Sequence, residues 1–550
     1  MAEKSKKSGS SHRGENVKAK LPEASATKTR ESRRFDWRWM VFGIILIVVI
    51  VWAIVMNMQV TDNSANKIMN TIAVDNSDLK VNWERYQTVD VKLSETLRIT
   101  ESGTYHLTGT LNDGSVIIDA GVAEVRLILD NVTIVNSTGP AIECYNAENL
   151  VIETIGNNYL KDGAKYAADY DEDVNGVIYS KADLAFIGEG VLNITTNFAD
   201  AIVGKDDVVI RGGEFVLTAV DDAIRGKDSV YITNGKFTIN AGGDAIKSTN
   251  ETDYGKGFIM IEQGEFAVEA TGKGIKAVNS ILIYGGELIL DTYDDAVHSN
   301  NYVGLVAGDL TLTAGDDGIH ADRELIIDGG KVNIIKSYEG LEAQIVTING
   351  GEISIVATDD GINAGGGADN SATGRPGENP FKTDENCVLA INGGEIYVNA
   401  AGDGVDSNGY LYFNGGSTVV DGPTNNGNGA LDAGLGIIME GGKVIAVGAA
   451  GMAEAIGNDS GVCNISVYFP TMQAAGTLIE VRNANGETVL SHVTAKTFNH
   501  LAAGSESLNL GETYTIYLNG TEYQSFTIME VTTTIGNSNF NQNNILKRKM

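Results

Sequence analysis

The sequence predicts an all-β solenoid, a parallel β-helix over residues 85–465, and three observations carry that expectation. Gly occupies 66 of 550 positions and Pro only 6, a composition suited to many tight turns. A small residue recurs at Ala201, Ala223, Ala245, Gly274, Ala296, Gly318, Gly340, Gly361, Gly404 and Ala430, mostly at steps of about 22 residues, the length of a solenoid coil. Each is followed by an aliphatic residue, from Ile202, Ile224 and Ile246 through Ile319 to Val405 and Leu431, which makes an inward ladder. Half a coil later comes a corner such as "RGGEF" (211–215), "DGGKV" (328–332) or "EGGKV" (440–444), where glycine supplies positive φ between short strands. One such coil cannot close a core, so neighbours must stack by parallel pairing at about 4.8 Å.

The elements follow in chain order. Residues 1–38 carry eleven basic against five acidic side chains, +6, on a chain whose formal net charge is −32, so the remainder is −38. An acidic body repels nucleic acid and attracts cations, and no nucleic-acid partner is expected. The uncharged run "WMVFGIILIVVIVWAIVM" (39–56) is long enough for a bilayer, so 39–58 is read as a transmembrane helix. The basic residues before it put the N-terminus in the cytoplasm and the rest outside, as a single-pass protein of the cell membrane with the lipid bilayer as a partner. Residues 59–84 read as a polar stalk, 365–386 as an exposed loop, 466–531 as a small β appendage with hairpins and 532–550 as a disordered tail. Cys144, Cys387 and Cys463 lie far apart, so disulfides are not the stabilising device.

Stacking turns equivalent positions into rows. The residue before each small anchor gives Asp200, Asp222, Asp244, Lys273, Asp295, Asp317, Glu339, Asp360 and Asp403, thickened by Asp221, Asp294, Asp316 and Asp359. Like charges about 4.8 Å apart repel by about 3–4 kcal/mol at an effective dielectric of 20, or about 1 kcal/mol in water. Asp in a solvated turn needs only salt; alternatively the row holds Ca²⁺, a hard cation that takes 6–8 oxygens. The metal candidates are Asp222, Asp244, Asp295, Asp317, Asp360, Asp403, Asp406 and Asp432, with Asn250, Asn279 and Asn301 as sources of amide oxygen. A local candidate is "DEDVNG" (171–176), where Asp171, Asp173 and Asn175 follow the first half of an EF-hand loop; Ala182 at position twelve excludes a complete one.

A second row stands two residues after the anchors: Arg225, Lys247, Lys276, His298, His320, Glu342, Asn363, Asp406 and Asp432. By alternation it should face outward, basic at one end and acidic at the other. Arg225, Lys247, Lys276, His298, His320, Asn250 and Asn408 are therefore candidates for binding an acidic polymer, against the alternative of a solvated face that balances the Asp row. His298 and His320 are also potential ligands of a transition metal, but the sequence supplies no third ligand.

The strings "GDAIKSTN" (243–250), "GDGVDSNG" (402–409) and "GPTNNGNGALD" (422–432), with "GTLIEVRNANGETVLSHVTAKTFNH" and "LGETYTIYLNG" after them, resemble a family of bacterial carbohydrate-binding β-solenoid proteins related in fold to pectate lyases. The resemblance covers residues 90–530. It implies a right-handed parallel β-helix that binds Ca²⁺ and acidic polysaccharide such as polygalacturonate at a bacterial surface, without established catalysis. It carries over Asp244, Lys247, Ser248 and Asn250, then Asp403, Asp406, Ser407 and Asn408, then Asn425, Asn426, Asn428 and Asp432. Lys273, Glu339 and the string "LDAGLG" (431–436) depart from the pattern.

Three functions compete. The favoured one is a membrane-anchored binder of acidic glycan. The second is a Ca²⁺-dependent polysaccharide lyase with Lys247 or Lys276 as base, which requires a lowered lysine pKa. The third is a structural surface or adhesion solenoid. Catalysis is the less favoured expectation, because neighbouring Asp244 should raise the Lys247 pKa.

Overall fold

A computed structural model describes residues 65–72, 80–365 and 383–536. The chain divides into two compact units, 1–59 and 60–550, and every described residue belongs to the second. The expected transmembrane helix and basic tail lie outside the described residues. Among those described, no helix is long and apolar enough to cross a membrane.

The central coils are three-sided. One runs Ile224–Gly226, Ser229–Ile232 and Lys236–Ala241; the next runs Ile246–Ser248, Phe258–Ile261 and Glu265–Ala270. Each strand pairs in parallel with its counterpart in the next coil, so the chain builds three parallel sheets around one apolar interior. The aliphatic ladder has the expected register: Ile202, Ile224, Ile246, Ile275, Val297, Ile319, Leu341, Ile362, Val405 and Leu431 are successive partners. All are buried. On the sheet opposite, Phe215, Phe237 and Phe266 stack with centroids 5.0 and 4.6 Å apart.

Two kinds of glycine maintain this spacing. Gly330 has φ +85°, and a Cβ there would meet the Gly308 carbonyl oxygen of the preceding coil at 2.7 Å. At the anchor Gly340 a Cβ would come within 2.2 Å of the Gly361 carbonyl oxygen, which explains why the recurring anchor is small.

Three boundaries differ from the sequence-based expectation. Within the stretch read as a polar stalk, Ala65–Thr71 forms a 3₁₀ helix whose Ala65 and Ile68 are buried in an outer apolar cluster with Val209, Met260 and Leu282. The Ala65 N–H donates to Asp328 Oδ2 at 2.8 Å, and Gly304 leaves the space that Ile68 fills. The C-terminal region does not hang free. Solenoid strand Lys443–Gly448 pairs antiparallel with Phe498–Ser505, and Ile445 and Val447 enter a second apolar core with Ile479, Val481 and Phe498. Within the expected disordered tail, Thr532–Ile535 pairs in parallel with Asn464–Gln473. The antiparallel sheet of Leu478–Asn483, Thr488–Val493, Thr513–Leu518 and Thr521–Thr527 completes this end. All three cysteines are free thiols.

Candidate acidic and cationic ladder

The Asp row is buried, not solvated: Asp200, Asp222, Asp295 and Asp317 are each no more than 3% exposed. Coil stacking gives the two carboxylate oxygens different tasks. One oxygen accepts the backbone N–H of the equivalent residue one coil on: Asp222 N–H to Asp200 (3.1 Å), Asp244 to Asp222 (2.9 Å), Lys273 to Asp244 (2.8 Å) and Asp317 to Asp295 (2.9 Å). The other oxygen faces a cation. Arg225 lies 2.5 Å from Asp200, Lys247 3.1 Å from Asp222 and 2.8 Å from Asp244, and Lys273 2.5 Å from Asp295. His298 Nδ1 is 2.7 Å from Asp295 and His320 Nδ1 is 3.0 Å from Asp317.

Arg225, Lys247 and Lys276 stand between buried neighbours on their short strands, on the outward side that alternation predicts, and are only part-covered. The charged ends of Arg225 and Lys247 reach the carboxylates of their own coil or the preceding one. His298 and His320 are buried, while Arg225 and Lys247 are about one-quarter exposed. Burial works against the Lys247 ammonium, but Asp244 and Asp222 outweigh it and hold the pKa above its ordinary value. That is the reverse of what a lysine base needs. Lys276 differs: among the described residues its ammonium makes no hydrogen bond or ion pair, although its charge helps to lower Asp244, and it is half-buried.

The Arg, Lys and His residues of the second row stop at His320. The rows continue as Glu339, Asp360 and Asp403 beside Glu342, Asn363, Asp406 and Asp432, with the same amide relay from Asp403 N–H to Asp360 at 2.5 Å. Among the described residues no cationic side chain pairs with Asp360, Asp403 or Asp406. Burial first, then Asp359, pushes Asp360 up to about 7; burial, then Asp360, pushes Asp403 up to about 8. Asp406 is raised well above the carboxylate range by burial and by Asp432, Asp403 and Asp360. In the cation-paired half, burial pushes Asp295 up but His298 and Lys273 outweigh it and hold it far below the usual range. Arg225 offsets burial only in part at Asp200, which rises to about 7.

The local EF-hand-like candidate does not converge. Asp171 lies 3.6 Å from Lys181, Asp173 lies 3.0 Å from Lys205, and Asn175 bridges Asp200 and Arg225. Each side chain already serves a different neighbour. Asn250 is buried; its amide donates to Asp228 and Asp253 and its oxygen caps the Thr252 and Asp253 N–H groups, which pins the loop 249–257. Asn408 donates to the Gly365 carbonyl at 2.9 Å. Asn425 and Asn426 are exposed on the 422–432 loop, and Gly429 in that loop donates its N–H to Asp403.

Reading by sequence alone missed Asp322, whose Oδ1 is 3.1 Å from His320 Nε2, and placed Glu342 in the second row without joining it to His320 as a ligand. The signal was present: Glu342 is the register partner of His320. It also missed the exposed Tyr293 beside a shallow cleft lined by Asn240, Glu269 and Asp291. A single aromatic in a polar turn has no periodic signature.

Comparisons with known proteins bear on the stretch that holds most of this ladder. A family profile described as "Carbohydrate-binding domain-containing protein" matches residues 94–361. A protein of that same description from Acetivibrio thermocellus is 33% identical over 161 residues, 28% of this chain. The match spans about half, 55%, of that relative's length. A solved structure titled as a polysaccharide lyase-like protein from C. thermocellum, a gadolinium derivative, is 27% identical; the alignment covers 43% of this chain and 95% of that one, with a TM-score of 0.37.

Proposed function

We propose that this protein binds carbohydrate through the solenoid, that its ligand is an acidic polysaccharide of the polygalacturonate type, and that Ca²⁺ takes part. The carbohydrate reading is supported by the family match over residues 94–361. The observation that carries the acidic and calcium reading is the change of chemistry along one ladder, whose acidic half is part-buried. Lys276 offers an ammonium without a hydrogen bond or ion pair in the cation-paired half, and Asp360, Asp403, Asp406 and Asp432 offer carboxylates in the other half. Ca²⁺ there would offset mutual repulsion and hold a uronate carboxylate by bridging. The relay keeps these oxygens on rigid backbone.

Anchoring by 39–58 with the solenoid outside the cell belongs to the same proposal and rests on the charge step across that segment. Protease added to intact cells should digest the region beyond 60 and spare an N-terminal tag.

The direct test measures binding of the full-length protein to polygalacturonate and to a neutral glucan, with Ca²⁺ and with chelator. Tighter binding to polygalacturonate, weakened by chelator and by Lys276→Ala, is expected. Equal binding to both polymers, indifferent to chelator and to Lys276→Ala, rejects the acidic and calcium parts while leaving carbohydrate binding. Release of unsaturated uronide would favour the lyase reading instead.

A further inference from the structure

We propose that Asp317, His320 and Glu342 form a site for a borderline transition-metal ion such as Zn²⁺, separate from the oxygen-only positions proposed for Ca²⁺. The proposal is independent of the carbohydrate reading. His320 and Glu342 are register partners in adjacent coils, and Asp317 lies three residues before His320 at the same corner. All three are buried, at 3% exposure or less for Asp317 and His320 and 4% for Glu342.

The imidazole has unlike surroundings on its two sides. Nε2 is 3.1 Å from Asp322 Oδ1, whereas Nδ1 is 3.0 Å from Asp317 Oδ2 and 2.8 Å from Glu342 Oε2. A neutral imidazole has one N–H. With the proton on Nε2 donated to Asp322, the Nδ1 lone pair points to the place where two carboxylate oxygens converge. That is the carboxylate–histidine–metal arrangement, in which an outer carboxylate fixes the tautomer and raises the basicity of the ligand nitrogen.

The spacing suits a small dication. Ligand atoms at about 2.0–2.1 Å from a metal are about 3.0 Å apart along an octahedral edge and about 3.4 Å along a tetrahedral one. Both separations from Nδ1 are near the lower value. The rival arrangement is an imidazolium, whose Nδ1–H would serve Asp317. Glu342 Oε2 in fact has no hydrogen-bond donor despite its nearness to Nδ1. An orphaned, buried carboxylate oxygen aimed at a lone pair is what a dication would satisfy, and two carboxylates with a neutral imidazole and M²⁺ sum to zero charge. The nitrogen in the set selects against Ca²⁺ and toward Zn²⁺ or a neighbouring first-row ion. His298 stacks on His320 at 4.7 Å and 11°, and Asp295 and Asn300 hold it in turn, so the ring plane is fixed.

Co²⁺ serves as the probe. Full-length protein stripped with chelator is titrated with Co²⁺, then challenged with Zn²⁺ or excess Ca²⁺. One Co²⁺ per chain with visible d–d absorption, displaced by Zn²⁺ and retained in excess Ca²⁺, is expected. His320→Gln should abolish the band. Because that variant stands in the core, Asp322→Asn is the second arm: its side chain is 36% exposed, and loss of the outer carboxylate should weaken Zn²⁺ binding about 10–100-fold with little change in melting under chelator. Absence of a band in the parent, displacement of Co²⁺ by Ca²⁺ mole for mole, or unchanged Zn²⁺ affinity in Asp322→Asn would overturn the assignment.

Discussion

The coils from Asp200 to His320 and those from Glu339 to Asp432 share one backbone geometry and one amide relay, yet they treat charge in opposite ways. In the first, nearly every carboxylate has an Arg, Lys or His nitrogen within 2.5–3.1 Å. In the second, carboxylates face carboxylates and an asparagine. The contrast shows that the Asp row is first a structural device. Each Asp satisfies a backbone N–H that the corner would leave without an acceptor, and the charge this buries is then met by a side-chain cation or left for something else to meet.

The largest expected effect tests the paired half. Asp295→Asn keeps an oxygen for the Asp317 N–H but leaves Lys273, whose side chain is 8% exposed, without its closest anion. Removing one partner of a buried pair costs about 3–5 kcal/mol, so chemical denaturation should show a loss of that order. Its counterpart sharpens the comparison: Asp403→Asn likewise keeps the acceptor for the Gly429 N–H, but removes a charge that only like charges surround. Stability in chelator at pH 8 should hold or rise, and the gain in melting temperature on adding Ca²⁺ should shrink. A loss as large as that of Asp295→Asn would show the two halves to be equivalent.

The pH dependence comes next. Asp360 and Asp403 have folded pKa values raised to about 7 and about 8, above the ordinary 3.8. The folded state therefore binds more protons than the unfolded state between those limits, and their contribution to stability falls as pH rises from about 4 to about 8. A melting series in chelator should show this decline, and Ca²⁺ should flatten it. The smallest effect is expected at Lys276→Ala, within about 0.5 kcal/mol because the ammonium has no partner among the described residues, whereas Lys247→Ala strands Asp222 and Asp244 and should cost more. Equal losses from the two substitutions would mean that Lys276 is engaged after all.

Much of the architecture was legible because solenoid register is a one-dimensional property. The spacing from Ile224 to Ile246 to Ile275 already states which residues stack, and even the seven-residue insertion after Ser248 leaves that register intact. The small anchors and glycine corners were legible for the same reason, since each answers a steric demand repeated in every coil. The packed helix Ala65–Thr71 was not, because its two buried residues make no periodic pattern and gain their partners from coils some two hundred residues away.

What the sequence by itself determined is the repeat, the pairing partners and the identity of the charges in each row, all of which follow from spacing and composition. Only the tertiary structure decided which of those charges meet. Alternation places Lys247 outward, and it stands so between buried Ile246 and Ser248, but alternation does not say that its ammonium meets a buried Asp222. Stacking brings each carboxylate to the N–H group of the next coil and within reach of a side chain such as Lys247, and the residue at each second-row position then sets which carboxylates are paired.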